Sequence, residues 1–328
     1  MPEVFITHPR LRPPGPHYDI LKKAGFDIRL PSDDSDTMQV DQLIEQLGNA
    51  DAAIAGLEPY NREVIMAAPN LRVVARCGVG YETVDTEAAD ERSIAVTTTP
   101  GTNEHSVAEH ALAMMLSISR GFPKRDLIVR GRRPWTKPTL PRFAGQTVGI
   151  IGLGRIGRAL AMRLPSLQVK VLAYEPYPNE AFIKEYNIEL TDLDDLLARS
   201  DMISLHTPVT DETRLMINKD SLAKMKPGAM LVNTARGHLI VEEDLHDALV
   251  SGHLAAAGLD VLQDEPPADD HPLLDLENVL LCPHAAGVDT QSHHDSVVLC
   301  GQVIADLYEG RWPEHCVMNL EGVSGWKW

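Results

Sequence analysis

Short apolar runs rich in Val and Ile alternate along the chain with longer stretches in which apolar residues recur every three or four positions. Continuous apolar runs suit strands buried on both faces and the wider spacing suits amphipathic helices, so the alternation predicts parallel sheets joined by crossover helices. In the first hundred residues the predicted strands are 4–7, 26–30, 52–55, 72–75 and 95–98, with helical segments such as 38–47 between them. Between Asn103 and Arg120, the residues Val107, Ala111, Leu112, Met115, Leu116 and Ile118 keep helical spacing, and Asn103 and Ser106 offer capping oxygens. Residues 131–141 contain three prolines without periodicity and predict an irregular connection. A second strand set follows at 147–152, 170–174, 202–205, 230–233, 257–261 and 279–282, with helices starting near 155, 193, 241 and 291. The last helix, around 292–309, comes after that sheet is complete and is expected to return to the first unit.

One run gives the second set a chemical purpose. Gly152-Leu-Gly154-Arg155-Ile156-Gly157 lies between a predicted strand and a predicted helix. In that setting Gly152 permits a tight turn, Gly154 lets a pyrophosphate approach the backbone, and Gly157 lets helix and strand pack closely. The helix start offers unpaired N–H groups, and Arg155 adds a charge. An acid is expected about 20 residues on, at the end of the next strand, to bind ribose hydroxyls. Glu175 stands there, and its charge favours NAD over a 2′-phosphorylated cofactor. The fold class is therefore read as α/β, with two doubly wound parallel-sheet domains of which the second is a Rossmann unit.

Composition narrows the partners. At 328 residues the length suits two domains. A formal net charge of -17 without a Lys/Arg cluster argues against nucleic acid. The first residues lack a signal-peptide pattern and no apolar run reaches membrane-span length, so a cytoplasmic protein without membrane attachment is expected. Cys77, Cys282, Cys300 and Cys316 form no Cys-x-x-Cys pair and read as reduced, space-filling thiols. His105 with His110, and His293 with His294, lack zinc-site spacing, and no metal is assigned.

Three further segments place polar groups near predicted strand ends: those of Arg236, Glu265 and His284. Interconverting a secondary alcohol and a ketone calls for a group that exchanges a proton near neutrality, a role for His284. A carboxylate on the imidazole, Glu265, would fix its tautomer and favour the protonated form, and Arg236 could grip a substrate carboxylate through two parallel hydrogen bonds. Taken singly, each also reads as an ordinary loop residue, and spacing alone does not make the three converge.

The sequence resembles the D-isomer-specific 2-hydroxyacid dehydrogenases over nearly its whole length. The likeness rests on Arg76-Cys-Gly-Val-Gly-Tyr-Glu-Thr-Val-Asp85, Asn103-Glu-His-Ser-Val-Ala-Glu-His110, the glycine motif with Glu175, Asn233-Thr-Ala-Arg-Gly237, Asp264-Glu-Pro-Pro267 and Pro283-His-Ala-Ala-Gly287. It implies that His284 is the acid/base, Glu265 its partner and Arg236 the substrate anchor. It further implies that the Gly78-Val79-Gly80 turn meets the substrate carboxylate through the Val79 and Gly80 amides. Arg76, just before that turn, could contact a distal anionic group of the substrate, and reads equally as a surface or domain-bridging arginine. The implied cofactor set is Gly152, Gly154, Arg155, Ile156, Gly157, Glu175, Thr207, Thr234, Ala235, Asp260, His284 and Gly287, with Asp260 facing the nicotinamide carboxamide. Residues 1–100 plus 288–328 would form a flavodoxin-like substrate domain, into which the NAD-binding Rossmann domain, 101–287, is inserted. The helix from Asn103 resembles the family's dimer core, which implies a homodimer.

The expected activity is hydride transfer between nicotinamide and C2 of a small 2-hydroxy/2-oxo acid. Alternatives are an NAD(H)-sensing corepressor-like protein, or a dehydrogenase of a nonstandard substrate such as phosphite. Formate dehydrogenases carry Gln where Glu265 stands, which favours alcohol/ketone chemistry. The residues after the last helix leave no room for the regulatory domain of some phosphoglycerate dehydrogenases, so serine feedback is not expected. Specificity is assigned to the loops His8-Pro-Arg10 and Gly56-Leu-Glu-Pro-Tyr60.

Overall fold

The computed structural model describes residues 1–7, 11, 15–321 and 325–328, so the predicted loop His8-Pro-Arg10 lies outside the described residues. The chain divides into two compact units, Met1–Asn103 with Asp289–Trp328, and Glu104–Val288. Each is an α/β unit built on a parallel sheet.

In the first unit the strands β1 (Glu3–Ile6), β2 (Asp27–Arg29), β3 (Ala52–Ala55), β4 (Val73–Arg76) and β5 (Ala95–Thr97) lie in the order β2-β1-β3-β4-β5. Alternate residues of a strand face opposite sides of its sheet. Val4, Ile6, Ala52, Ile54, Val73 and Ala75 therefore meet Val297, Cys300, Val303, Ile304 and Leu307 of helix Thr290–Tyr308. Phe5, Ala53, Ala55, Val74 and Val96 meet helices Val40–Leu47, Arg62–Ala67 and Thr86–Glu91 on the other side. Burying each large aliphatic side chain is worth about 1.5–3 kcal/mol, which explains why β3 and residues 4–6 and 73–75 of β1 and β4 are all apolar.

The second unit holds β6 (Thr147–Ile151), β7 (Lys170–Tyr174), β8 (Glu189–Leu190), β9 (Met202–Leu205), β10 (Ala229–Asn233), β11 (Leu254–Leu259) and β12 (Val279–Leu281). Their order, β12-β11-β10-β9-β6-β7-β8, reverses direction beside β6, as in doubly wound nucleotide-binding sheets. Helix Glu104–Ser119 lies on one face, with Met114 against Gly258 of β11; a Cβ at Gly258 would stand 3.2 Å from that of Met114.

Some elements differ from the sequence reading. Strand β8 has only two half-buried residues, with Glu189 paired to Lys170 and Arg199, so it carries no apolar run to be seen. Strand β11 is Leu254–Leu259 rather than 257–261; its start was not read because Ala255 and Ala256, which strand propensity disfavours, follow Leu254. Helix Phe122–Val129 was not expected. Ser106 does not cap its helix: its hydroxyl donates to the Ala286 carbonyl at 2.8 Å. Residues 131–141 are irregular, as expected. No helix among the described residues is long and apolar enough to cross a membrane.

Candidate active site

The strand register of the second unit builds the site. Tyr174, Ile151, Leu205, Asn233, Leu259 and Leu281 are mutual partners across β7, β6, β9, β10, β11 and β12. The next residue on each strand is therefore Glu175, Gly152, His206, Thr234, Asp260 and Cys282, one row along the carboxyl edge of the sheet. That edge is where open α/β sheets bind ligands.

At the glycine turn, Gly152 has φ +96°, and a Cβ there would lie 2.7 Å from the His206 carbonyl oxygen. A Cβ on Gly157 would stand 2.0 Å from the Gly152 oxygen. Gly154 differs: it is exposed, and nothing lies within 4 Å of where its Cβ would be. Helix Arg155–Ala161 starts there with no side-chain cap, leaving Ile156 half-buried and Arg155 exposed. Glu175 secures the turn, one carboxylate oxygen accepting from Leu153 N at 2.7 Å and the other from Tyr177 N at 2.9 Å.

His284, Glu265 and Arg236 come together. His284 Nδ1 is 2.7 Å from Glu265 Oε2, while Leu262 N donates to Glu265 Oε1 at 3.1 Å. Burial raises the Glu265 pKa, but the His284 hydrogen bond and charge, the Leu262 amide and nearby Arg236 outweigh it and hold the carboxyl below 4.5. Glu265 is thus ionised at neutral pH and accepts from Nδ1–H, which leaves Nε2 as the nitrogen available for proton exchange.

The backbone around the three is fixed by Asn233 and Gly237, which the sequence reading did not assign, and by Asp260, which it placed at the nicotinamide. Fully buried Asn233 accepts from Ala235 N at 3.0 Å and donates to the Arg236 oxygen at 2.8 Å, closing the turn that carries Arg236. A strand-ending Asn is a turn signal that could have revealed it. Gly237 packs so tightly on the Glu265 loop that a Cβ would lie 2.0 Å from the Leu262 carbonyl carbon. Asp260 accepts from Ala285 N and Ala286 N, both at 2.9 Å, and its carbonyl takes the His284 amide at 2.7 Å. Its buried carboxylate thus positions the Pro283–Gly287 segment. His284 sits at φ +51°, a region in which His and Asn are enriched.

Thr234 Oγ1 and His206 Nδ1, near this row, are buried without a hydrogen-bond partner, while His110 Nε2 lies 3.5 Å from Asp260 Oδ1. The other His206 nitrogen is 2.9 Å from Ser204 Oγ, and burial lowers the ring pKa from 6.5 to about 4. The folded protein therefore takes up this proton less readily than the unfolded chain. The stability at stake is complete above pH 6.5 and is lost as pH falls toward 4, by about 2 kcal/mol at pH 5. Denaturant unfolding at pH 8 and pH 5 should show a smaller acid loss in His206→Gln than in the native protein; equal losses would contradict this account.

Among the described residues, His110, Asp260 and Cys282 bring ligand atoms within 4.8 Å of one another. The Asp260 oxygens already hold two amides, and burial with the Asp260 charge pushes the Cys282 thiol up, keeping it protonated. With Asp260 committed to two amides and Cys282 protonated, the trio is not a ready ion cage.

In the first unit, Gly78 at φ +147° follows β4, and a Cβ on it would lie 2.6 Å from Arg76 Nη1, so the guanidinium folds over the Gly78-Val79-Gly80 turn. Arg76 donates to the Cys77 carbonyl and keeps a buried Nε without a partner. In the loop 56–60, Leu57 is exposed, whereas Tyr60 is fully buried and Glu58 turns inward to accept from Gly56 N at 2.6 Å.

Residues 112–286 match the family model described as D-isomer specific 2-hydroxyacid dehydrogenase, NAD binding domain. The chain belongs to that family. Among curated members, D-3-phosphoglycerate dehydrogenase of Mycobacterium bovis is 44% identical over 258 residues, 78% of this chain and 48% of the relative. Glyoxylate reductase of Thermofilum pendens is 37% identical over 322 residues, 95% of this chain and 93% of the relative. The chain spans about half the length of the first relatives that it matches. A crystal structure of D-lactate dehydrogenase from Aquifex aeolicus complexed with NAD and lactic acid has a TM-score of 0.84 at 27% identity, covering 98% of this chain and 100% of that one.

The second unit thus contains the family's NAD-binding domain, and its residues fit that cofactor. Gly154 leaves an open approach to the turn, Glu175 keeps lone pairs for ribose hydroxyls, and Thr234 Oγ1 and His206 Nδ1 are polar atoms that lack partners. Gly154→Ala tests the fit: the added methyl meets no protein atom, so the melting temperature should hold while NADH affinity falls about tenfold or more. Unchanged NADH binding by titration would contradict the cradle.

Proposed function

We propose that the chain is an NAD-dependent oxidoreductase that interconverts a small 2-hydroxy acid and its 2-oxo acid, with His284 as the acid/base. The supporting observation is the 2.7 Å contact between His284 Nδ1 and Glu265, with Arg236 beside the carboxylate. Bound NAD supplies a hydride acceptor, and NADH a hydride donor, at the nicotinamide ring. Arg236 is assigned to the substrate carboxylate through paired hydrogen bonds together with the Val79 and Gly80 amides, and Arg76 to a distal anionic group of the substrate. His284 takes the hydroxyl proton on Nε2 during oxidation and returns it during reduction. The imidazolium is balanced by Glu265, which stays ionised. Gly152, Gly154, Arg155, Ile156, Gly157, Glu175, Thr207, Thr234, Ala235, Asp260 and Gly287 are assigned to NAD. The first unit is assigned to the substrate.

A homodimer is proposed on different ground from the sequence reading. Helix Glu104–Ser119 buries Val107, Ala111, Met114, Met115 and Ile118 within its own chain. The exposed apolar side chains lie just after it, at Phe122, Val129 and Trp135. A monomer by light scattering would refute this. A reducing, cytoplasmic setting is proposed from the wide spacing of the four cysteines, which form no Cys-x-x-Cys pair.

The deciding experiment follows NADH oxidation with glyoxylate, hydroxypyruvate, pyruvate, phosphohydroxypyruvate, sulfopyruvate and bulkier 2-oxo acids. One strongly preferred acid supports the reading. Silence across the panel with NADH binding intact would overturn it.

A further inference from the structure

Alternate residues of a strand share a face, so Val73, Ala75 and, just beyond β4, Cys77 point the same way. All three pack with Val297, Cys300, Val303 and Cys316. Helix Thr290–Tyr308 brings Cys300 Sγ to 4.0 Å from the carbonyl oxygen of Ala75, two residues before Cys77, and both cysteines pack in the same cluster.

The two thiols are not equivalent. Cys300 is buried, whereas Cys77 is half-buried. The neighbouring Cys300 thiol, with the Arg76 charge, outweighs burial and draws the Cys77 thiol below its usual range. The same neighbouring thiol, together with burial, holds Cys300 well above that range. A half-buried cysteine beside a cation, with a second thiol in the same cluster, is the arrangement of a redox-responsive cysteine and its resolving partner.

We propose that Cys77 and Cys300 form a reversible disulfide when the protein meets hydrogen peroxide, with Cys77 as the attacking thiolate. The Cys77 sulfur takes one peroxide oxygen; the O–O bond breaks, and the departing hydroxide takes up the proton that Cys77 had released. Cys300 sulfur then attacks the sulfenic acid. The S–O bond breaks as the S–S bond forms, and the Cys300 proton leaves with the hydroxyl as water. Two thiols lose two electrons in all, and one peroxide becomes two waters. Cys77 directly precedes Gly78-Val79-Gly80, so tying it to the helix shifts the turn assigned to the substrate carboxylate. That last consequence rests on the proposed function; the bond itself does not.

The full chain would be treated with peroxide and studied by intact mass and non-reducing peptide mapping. The expected product is lighter by about 2 Da, yields a Cys77–Cys300 linked peptide and is reversed by dithiothreitol. Cys300→Ala, with native activity in reducing buffer, should instead accumulate sulfenic and sulfinic acid at Cys77; Cys300→Ser serves if the alanine variant folds poorly. The oxidised native protein should show a KM for the 2-oxo acid raised about fivefold or more, with NADH affinity unchanged. A Cys300–Cys316 linked peptide, or an unmodified Cys77, overturns the pair. A formed disulfide with unchanged KM upholds the pair and overturns the substrate role of the turn.

Discussion

Replacing His284 with Asn is expected to lower turnover of the preferred 2-oxo acid by about 10²–10⁴-fold, the usual contribution of a positioned acid/base. NADH affinity should change little. Asn is the informative choice because position 284 lies at φ +51°. Ala there would add backbone strain of about 1 kcal/mol and blur the chemical loss, whereas Asn tolerates this region. The amide bonds from Ala285 and Ala286 to Asp260, and from residue 284 to the Asp260 carbonyl, do not involve the imidazole and should persist. Steady-state kinetics and NADH titration on the same preparation decide the matter. Turnover within tenfold of native would remove His284 from the proton's path.

Gly237→Ala is expected to damage both stability and activity without touching any group assigned to chemistry. The new Cβ would lie 2.0 Å from the Leu262 carbonyl carbon, 2.1 Å from its oxygen and 2.3 Å from Gln263 N. All three are backbone atoms, so no side-chain rotation relieves the clash. The loop carrying Glu265 must move away from the turn carrying Arg236. Overpacking of this kind costs about 1–3 kcal/mol, and a backbone-to-backbone clash belongs at the upper end. Gly228→Ala makes a suitable control, since its Cβ meets nothing within 4 Å and only its φ of +82° is strained. Thermal unfolding should fall further for Gly237→Ala, and its turnover should drop while that of the control does not. Equal effects would mean that the two loops are not held by this contact.

The sheet pattern was legible because both units bury strands on two faces, which writes itself as uninterrupted Val and Ile. The family blocks likewise named the residues that the register gathers at the strand ends, including Gly152, Glu175, Thr234 and Asp260. What escaped depends on contacts between distant segments. Ser106 reaches Ala286 across 180 positions, and local reading could offer it only a capping role. Gly237 looks like any loop glycine until Leu262 is placed against it. His206 is a histidine beside Thr207 whose burial only the fold reveals. The cysteines read as filler because their spacing says nothing about Cys77 meeting Cys300.

The row at the sheet edge works as a ruler. Neighbouring strands lie about 4.8 Å apart, so the six positions from Glu175 to Cys282 are graduations across roughly 24 Å, set by backbone ladders rather than by the loops. Lengthening one loop can retune one graduation while the other five keep their spacing. A slip of one residue in β10 would do the reverse: it would turn Thr234 to the opposite face and carry Arg236 with it, though no residue of the site had been altered.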